Sequence, residues 1–183
     1  MVVDIGSVTS NVSIFKFGEL IYTHSIDIAG EKITEEIAKT IKKKHDEAEK
    51  LKKEIGLSDI NNPVFHVIAK NLQKIIEETK MTIAYMKGGF GVNIEELILI
   101  GGTSEMPMIK DYFSSNLEIP VQIGSAFFGT IKKNDEVSAN KKLKKWSSVH
   151  LEHNKRFFIE AVGLALKGID KKWENDISIN LTT

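Results

Sequence analysis

The sequence predicts an α/β fold, a mixed five-stranded sheet flanked by helices, on three observations. Two short apolar runs, VVDI and LILI, each stop at a glycine followed by hydroxyl residues, at Gly6 and Gly101, about ninety-five residues apart. The stretch after the first run alternates as strands do, and from Glu31 a helical period replaces that alternation. A β-branched run that breaks into Gly, Ser and Thr presents backbone N–H groups and hydroxyls at the end of a buried strand, which is chemistry suited to phosphate.

Taken in order, Val2 to Ile5 is a strand and Asn11 to Phe17 a second, with Val12, Ile14 and Phe17 directed at the core. Gly18 supplies a tight turn into Leu20 to Ile28, so these strands form a hairpin. From Glu31, Ile33, Ile37, Ala38 and Ile41 share one helical face. Asp46 to Ile55 is a second helix, mostly charged and read as a solvated excursion, capped by Gly56. Asn62 as N-cap and Pro63 at the first position open a long helix that runs to Lys87, where GGFG breaks it. Leu97 to Ile100 reads as a central parallel strand buried on both faces. A helix over Pro107 to Leu117, with Met108, Ile109, Tyr112 and Phe113 inward, leads to a last short strand, Pro120 to Ile123. The lysine-rich stretch after it reads as a loop, and RFFIEAVGLALKG as a helix apolar almost all round.

Composition narrows the function. With 183 residues and 42% hydrophobic content the chain can bury a real core. Twenty-five basic and twenty-five acidic residues cancel, which offers no global attraction to nucleic acid or an anionic membrane. There are no cysteines, so disulfides and cysteine metal sites are excluded and a cytoplasmic setting fits most easily. No apolar run reaches membrane-spanning length. The five histidines include one close pair, His150 and His153, without a zinc-protease motif, and no G-x-S-x-G elbow is present.

DIGSVTSN resembles the second phosphate motif of the actin-like ATPase superfamily, LILIGGTSEMP its adenosine motif, and EAVGLALKG its last connecting helix. The resemblance spans essentially the whole chain in order and implies a ribonuclease H-like fold. Within the superfamily, NLEIPVQIGSAF and AEKLKKEIGL are most similar to the PilM group of type IV pilus assembly, with the FtsA group close behind. The implied organisation is a sheet subdomain (IIA) over 1–39 and 63–170, a small helical subdomain (IIB) over 40–62, and a tail over 171–183.

The resemblance also implies roles. Asp4 would hold Mg²⁺ through water. Gly6, Ser7 and Thr9 would face the β- and γ-phosphates of ATP. Gly101, Gly102, Thr103 and Ser104 would meet the adenosine, and Lys39 the ribose or base edge. Asn11 stands where an acid is frequent, and Glu105 where chaperones carry a stacking arginine, so the resemblance implies at most a weak ATPase and no catalytic residue is assigned. In the superfamily the nucleotide lies between two domains, and only one phosphate motif is present here. The chain is therefore expected to be the second half of such a protein, with weak ATP binding alone, an exposed face prone to self-association, and a PilN-like membrane partner peptide that would bring it to the inner face of the membrane. Ile177, Ile179 and Leu181 in the tail alternate as a strand would, and INL resembles the start of that partner's docking peptide. The alternatives are an FtsA-like division protein and half of a phosphotransferase such as a sugar kinase.

Overall fold

The computed structural model describes residues 1–17 and 19–124. Five strands, β1 (Val2–Ile5), β2 (Ser10–Lys16), β3 (Glu19–Ile26), β4 (Leu97–Ile100) and β5 (Val121–Ile123), form one sheet in the order β3-β2-β1-β4-β5. β1, β2 and β3 are antiparallel neighbours, whereas β4 and β5 join parallel to β1, so the sheet is mixed. The helices are α1 (Gly30–Ile41), α2 (His45–Ile55), α3 (Pro63–Phe90) and α4 (Ile109–Leu117).

Register explains the core. Val3 pairs with Val12 on one side and Leu99 on the other, and Leu97 pairs with Val121, so one face of four strands is continuously aliphatic. These residues join Ile33 and Ile37 of α1, Ile68, Leu72, Ile75 and Ile76 of α3, and Phe113 of α4 in one buried cluster. Asn62 caps α3, its side chain accepting the Val64 N–H at 2.9 Å, with Pro63 next in line.

Several local expectations need correction. Phe17 is 96% exposed in the left-handed region rather than facing the core. α3 continues through Gly88 and Gly89 to Phe90 and ends only at Gly91, whose left-handed φ of 64° lets its N–H reach the Met86 carbonyl. In β4 only Leu97 and Leu99 are buried; Ile98 and Ile100 are half-buried. α4 starts at Ile109, because Met108 takes a left-handed conformation and the Pro107 carbonyl is claimed by the Leu57 N–H at 3.0 Å. Met108 itself is exposed. α2 is not merely solvated, since Ala48 and Lys52 are buried. Gly18, the lysine-rich stretch, the last predicted helix, His150, His153 and the tail lie outside the described residues.

Candidate functional site

β1 and β4 are parallel neighbours, with Asp4 opposite Ile100, so both glycine turns leave the sheet at the carboxyl ends of adjacent strands. Open α/β sheets gather ligands there. The Thr103 hydroxyl donates to the Gly6 carbonyl at 3.5 Å and bridges the two turns.

The first turn is held from behind. The Gly6 N–H donates to the Thr9 carbonyl at 3.2 Å, while the carbonyls of Gly6 and Ser7 accept the Gly30 and Glu31 N–H groups at 2.9 and 2.8 Å. Those are the first two amides of α1, whose N-cap residue Ala29 offers no side-chain bond, so the turn itself caps the helix. No peptide bond here is cis. In a trans peptide the N–H points opposite to the C=O, so the Ser7 and Val8 N–H groups face away from α1. Ser7, Val8 and Thr9 are exposed. Outward amides beside two free-facing hydroxyl positions suit an anion.

The second turn is closed on itself. Gly101 has φ 86°, and a Cβ there would overlap the Asp4 carboxylate and lie 2.5 Å from the Ile5 carbonyl oxygen. Residues Gly102–Glu105 form a 3₁₀ turn. The Ser104 hydroxyl donates to the Gly101 carbonyl at 2.7 Å, and both Thr103 and Ser104 are buried. The half-exposed backbone of Gly101 and Gly102 is what remains for a ligand to approach.

Asp4 is half-buried between the turns. Among the described residues no group of three His, Cys, Asp or Glu side chains could cage a metal ion. A carboxylate beside such a turn nevertheless suits Mg²⁺, which keeps several waters and binds through few protein groups. The structure does not bring Lys39 to this site: it lies on the last turn of α1, exposed and paired with Glu35 at 3.7 Å, ~14 Å along the helix from Gly30 at 1.5 Å per residue. Asn11 accepts the Ser25 hydroxyl at 2.7 Å on the hairpin.

Three residues that the sequence reading passed over stand beneath the first turn. Lys52 of α2 reaches the Gly30 carbonyl at 2.9 Å, the Thr34 hydroxyl at 2.8 Å and the Glu49 carboxylate at 2.6 Å. Glu49 also accepts the Thr34 hydroxyl at 2.5 Å and meets Lys53 at 3.1 Å. Burial pushes the Glu49 carboxyl up, but the Lys52 and Thr34 hydrogen bonds, with the Lys52 charge and Lys53, outweigh it and hold the group at about 2. The signal was present: Ala48, Leu51, Lys52 and Ile55 fall on one helical stripe, so Lys52 occupies a core position of α2.

The family of the cell division protein FtsA matches residues 1–142. Among solved structures, a PilM–PilN type IV pilus biogenesis complex is similar at 19% identity and a TM-score of 0.71, covering 92% of this chain and 45% of that one. MreB5 of Spiroplasma citri bound to ADP is similar at 19% identity and TM-score 0.70, covering 95% and 55%. The ethanolamine utilization protein EutJ from Carboxydothermus hydrogenoformans follows at 19% and 0.61, covering 90% and 48%. The chain thus spans about half the length of the solved structures it resembles, and the fold is that of the actin-like ATPases. A search of curated proteins finds no sequence match.

Proposed function

The chain belongs to the family of the cell division protein FtsA, and we propose that it supplies the nucleotide-facing half of a PilM-like actin-like protein, a cytoplasmic scaffold of type IV pilus assembly switched by ATP. The observation that carries this reading is the first turn, whose Ser7 and Val8 N–H groups are aimed outward by bonds from the Gly6 and Ser7 carbonyls to α1. In this reading Ser7 and Thr9 meet the terminal phosphates, Asp4 holds hydrated Mg²⁺, the Gly101–Gly102 backbone passes close to the adenosine, and Thr103 and Ser104 shape that backbone from below. Glu49, ionised and still 30% exposed, offers acceptors to a ribose diol, a task better placed here than on Lys39. The bound metal would neutralise phosphate charge; the chain's own groups orient the triphosphate. Residues 1–39 with 63–170 serve as the sheet subdomain and 40–62 as the small one, and a PilN-like peptide is the partner that recruits the protein to the membrane.

Similarity to the PilM–PilN complex supports the pilus role, and the matched family supports the second reading, an FtsA-like part in cell division. Titration of the chain with ATP and Mg²⁺, followed by amide resonances and calorimetry, tests the nucleotide reading. Half a cleft should bind with millimolar or weaker affinity, about 4 kcal/mol or less, and shift Ser7, Val8 and Gly101 first. Asp4→Ala should remove the magnesium dependence. Absence of any shift at both turns at saturating ATP overturns the reading, and a micromolar dissociation constant overturns the half-cleft expectation. Binding of a PilN-type N-terminal peptide to the protein carrying both domains separates the pilus role from the division role.

A further inference from the structure

Lys52 is 4% exposed, yet all three protons of its ammonium find acceptors, on Gly30, Thr34 and Glu49. A buried charge with its hydrogen-bonding capacity fully spent inside the fold holds something in place. What it holds is one residue, Gly30, which is tied on both of its peptide groups. Gly30 gives its N–H to the Gly6 carbonyl at 2.9 Å and its carbonyl to Lys52 at 2.9 Å. A Cβ on Gly30 would lie 2.6 Å from the Thr103 hydroxyl, 3.2 Å from the Gly6 carbonyl and 3.4 Å from the Lys52 nitrogen. Both glycine turns, the start of α1 and the last turn of α2 therefore converge on a single residue. Thr34 has one hydroxyl proton, and its shorter contact is to Glu49 at 2.5 Å rather than to Gly30 at 2.9 Å, which leaves Lys52 as the main side-chain clamp on the Gly30 carbonyl.

We propose that Lys52 is a positioning residue for the first glycine turn: by fixing the Gly30 carbonyl against α2, it sets the direction in which Ser7 and Val8 present their N–H groups, and it makes the turn follow any movement of α2 against α1. The clamp stands on geometry alone; that the clamped turn faces phosphate rests on the nucleotide reading above.

The test uses the ¹⁵N-labelled full chain, first without nucleotide. Lys52→Met should displace the amide resonances of Gly6, Ser7, Val8 and Gly30 while leaving Leu97 to Ile100 in place. Thr34→Val, which keeps shape and loses one partner of the clamp, should displace the same four by less. Lys53→Met removes the exposed cation on the other oxygen of Glu49 and should leave Gly6 to Val8 unmoved. Added ATP and Mg²⁺ should then bind Lys52→Met about tenfold more weakly than the unsubstituted chain, the scale of one charge-assisted hydrogen bond, with Lys53→Met unchanged. Unmoved Gly6 to Val8 resonances in whichever of Lys52→Met and Thr34→Val folds overturn the proposal. If the unsubstituted chain itself ignores ATP, the nucleotide reading fails and the clamp is still judged by the amide resonances.

Discussion

The two glycine turns share a sequence signature, an aliphatic strand, glycine and then hydroxyls, and the fold uses them in opposite ways. At Gly6 to Thr9 the carbonyls of Gly6, Ser7 and Thr9 are tied down, the Ser7 and Val8 amides face away from α1, and the Ser7 and Thr9 side chains are exposed. At Gly101 to Ser104 the hydroxyls are buried, Ser104 bonding back to the Gly101 carbonyl and Thr103 reaching across to Gly6. The first turn is anchored through α1 and, behind it, by the charged pair of Lys52 and Glu49. The second is anchored by close packing against β1, where glycine has no substitute. Identical residue types beside a glycine therefore do not have identical jobs; the direction of the preceding carbonyls decides which of them a ligand can meet.

The largest expected effect breaks the second turn. Gly101→Ala needs a strained positive φ and puts a methyl into Asp4 and the Ile5 backbone, so denaturant unfolding should show a loss of about 3 kcal/mol or more. Gly6→Ala has a normal φ, but its methyl would lie 2.9 Å from the Thr9 backbone carbonyl, which must shift; a smaller loss, about 2 kcal/mol, is expected. Equal losses at the two glycines would abolish the distinction between a packed turn and a tethered one.

Acid sharpens the same contrast. The Glu49 carboxyl is depressed to about 2 from an ordinary 4.5, so its contribution is fully present above pH 4.5 and is lost as pH falls from there towards 2. Allowing for its partial exposure, the loss is about 2 kcal/mol. Glu49→Gln should flatten that acid limb, and at pH 3 hydrogen exchange should quicken at Gly30 before it does at Ser104. Uniform acceleration at both would count against separate anchors.

Smaller still, Ser104→Ala should cost about 1 kcal/mol of stability, the value of one buried hydrogen bond, with ATP affinity weakened less than by either substitution in the first turn. Ser7→Ala and Thr9→Ala should do the reverse: stability within ~0.5 kcal/mol, measured by thermal melting, and ATP–Mg²⁺ affinity weakened several-fold in calorimetry. A stability loss at Thr9 larger than that at Ser104 would show that the roles of the two turns had been exchanged.

Periodicity alone determined the α/β class, the hairpin, the three long helices to within a few residues at each end, and the pairing of two glycine turns with strand ends, because alternation and the 3.6-residue period express burial directly. The Asn62–Pro63 start of α3 was legible for the same reason: its cap is local, and the bond spans two residues. The capping of α1 was not. No capping residue precedes it, because its first amides are satisfied by carbonyls more than twenty residues away. The buried role of Lys52 was equally hidden, since its side-chain type argues for solvent and only the stripe of Ala48, Leu51 and Ile55 argues otherwise. Nor could a sequence say that Thr103 and Ser104 turn inward while Ser7 and Thr9 turn outward. That difference is set by which backbone carbonyls are already bonded, and those partners, α1 for the first turn and β1 for the second, come together only when the chain has folded.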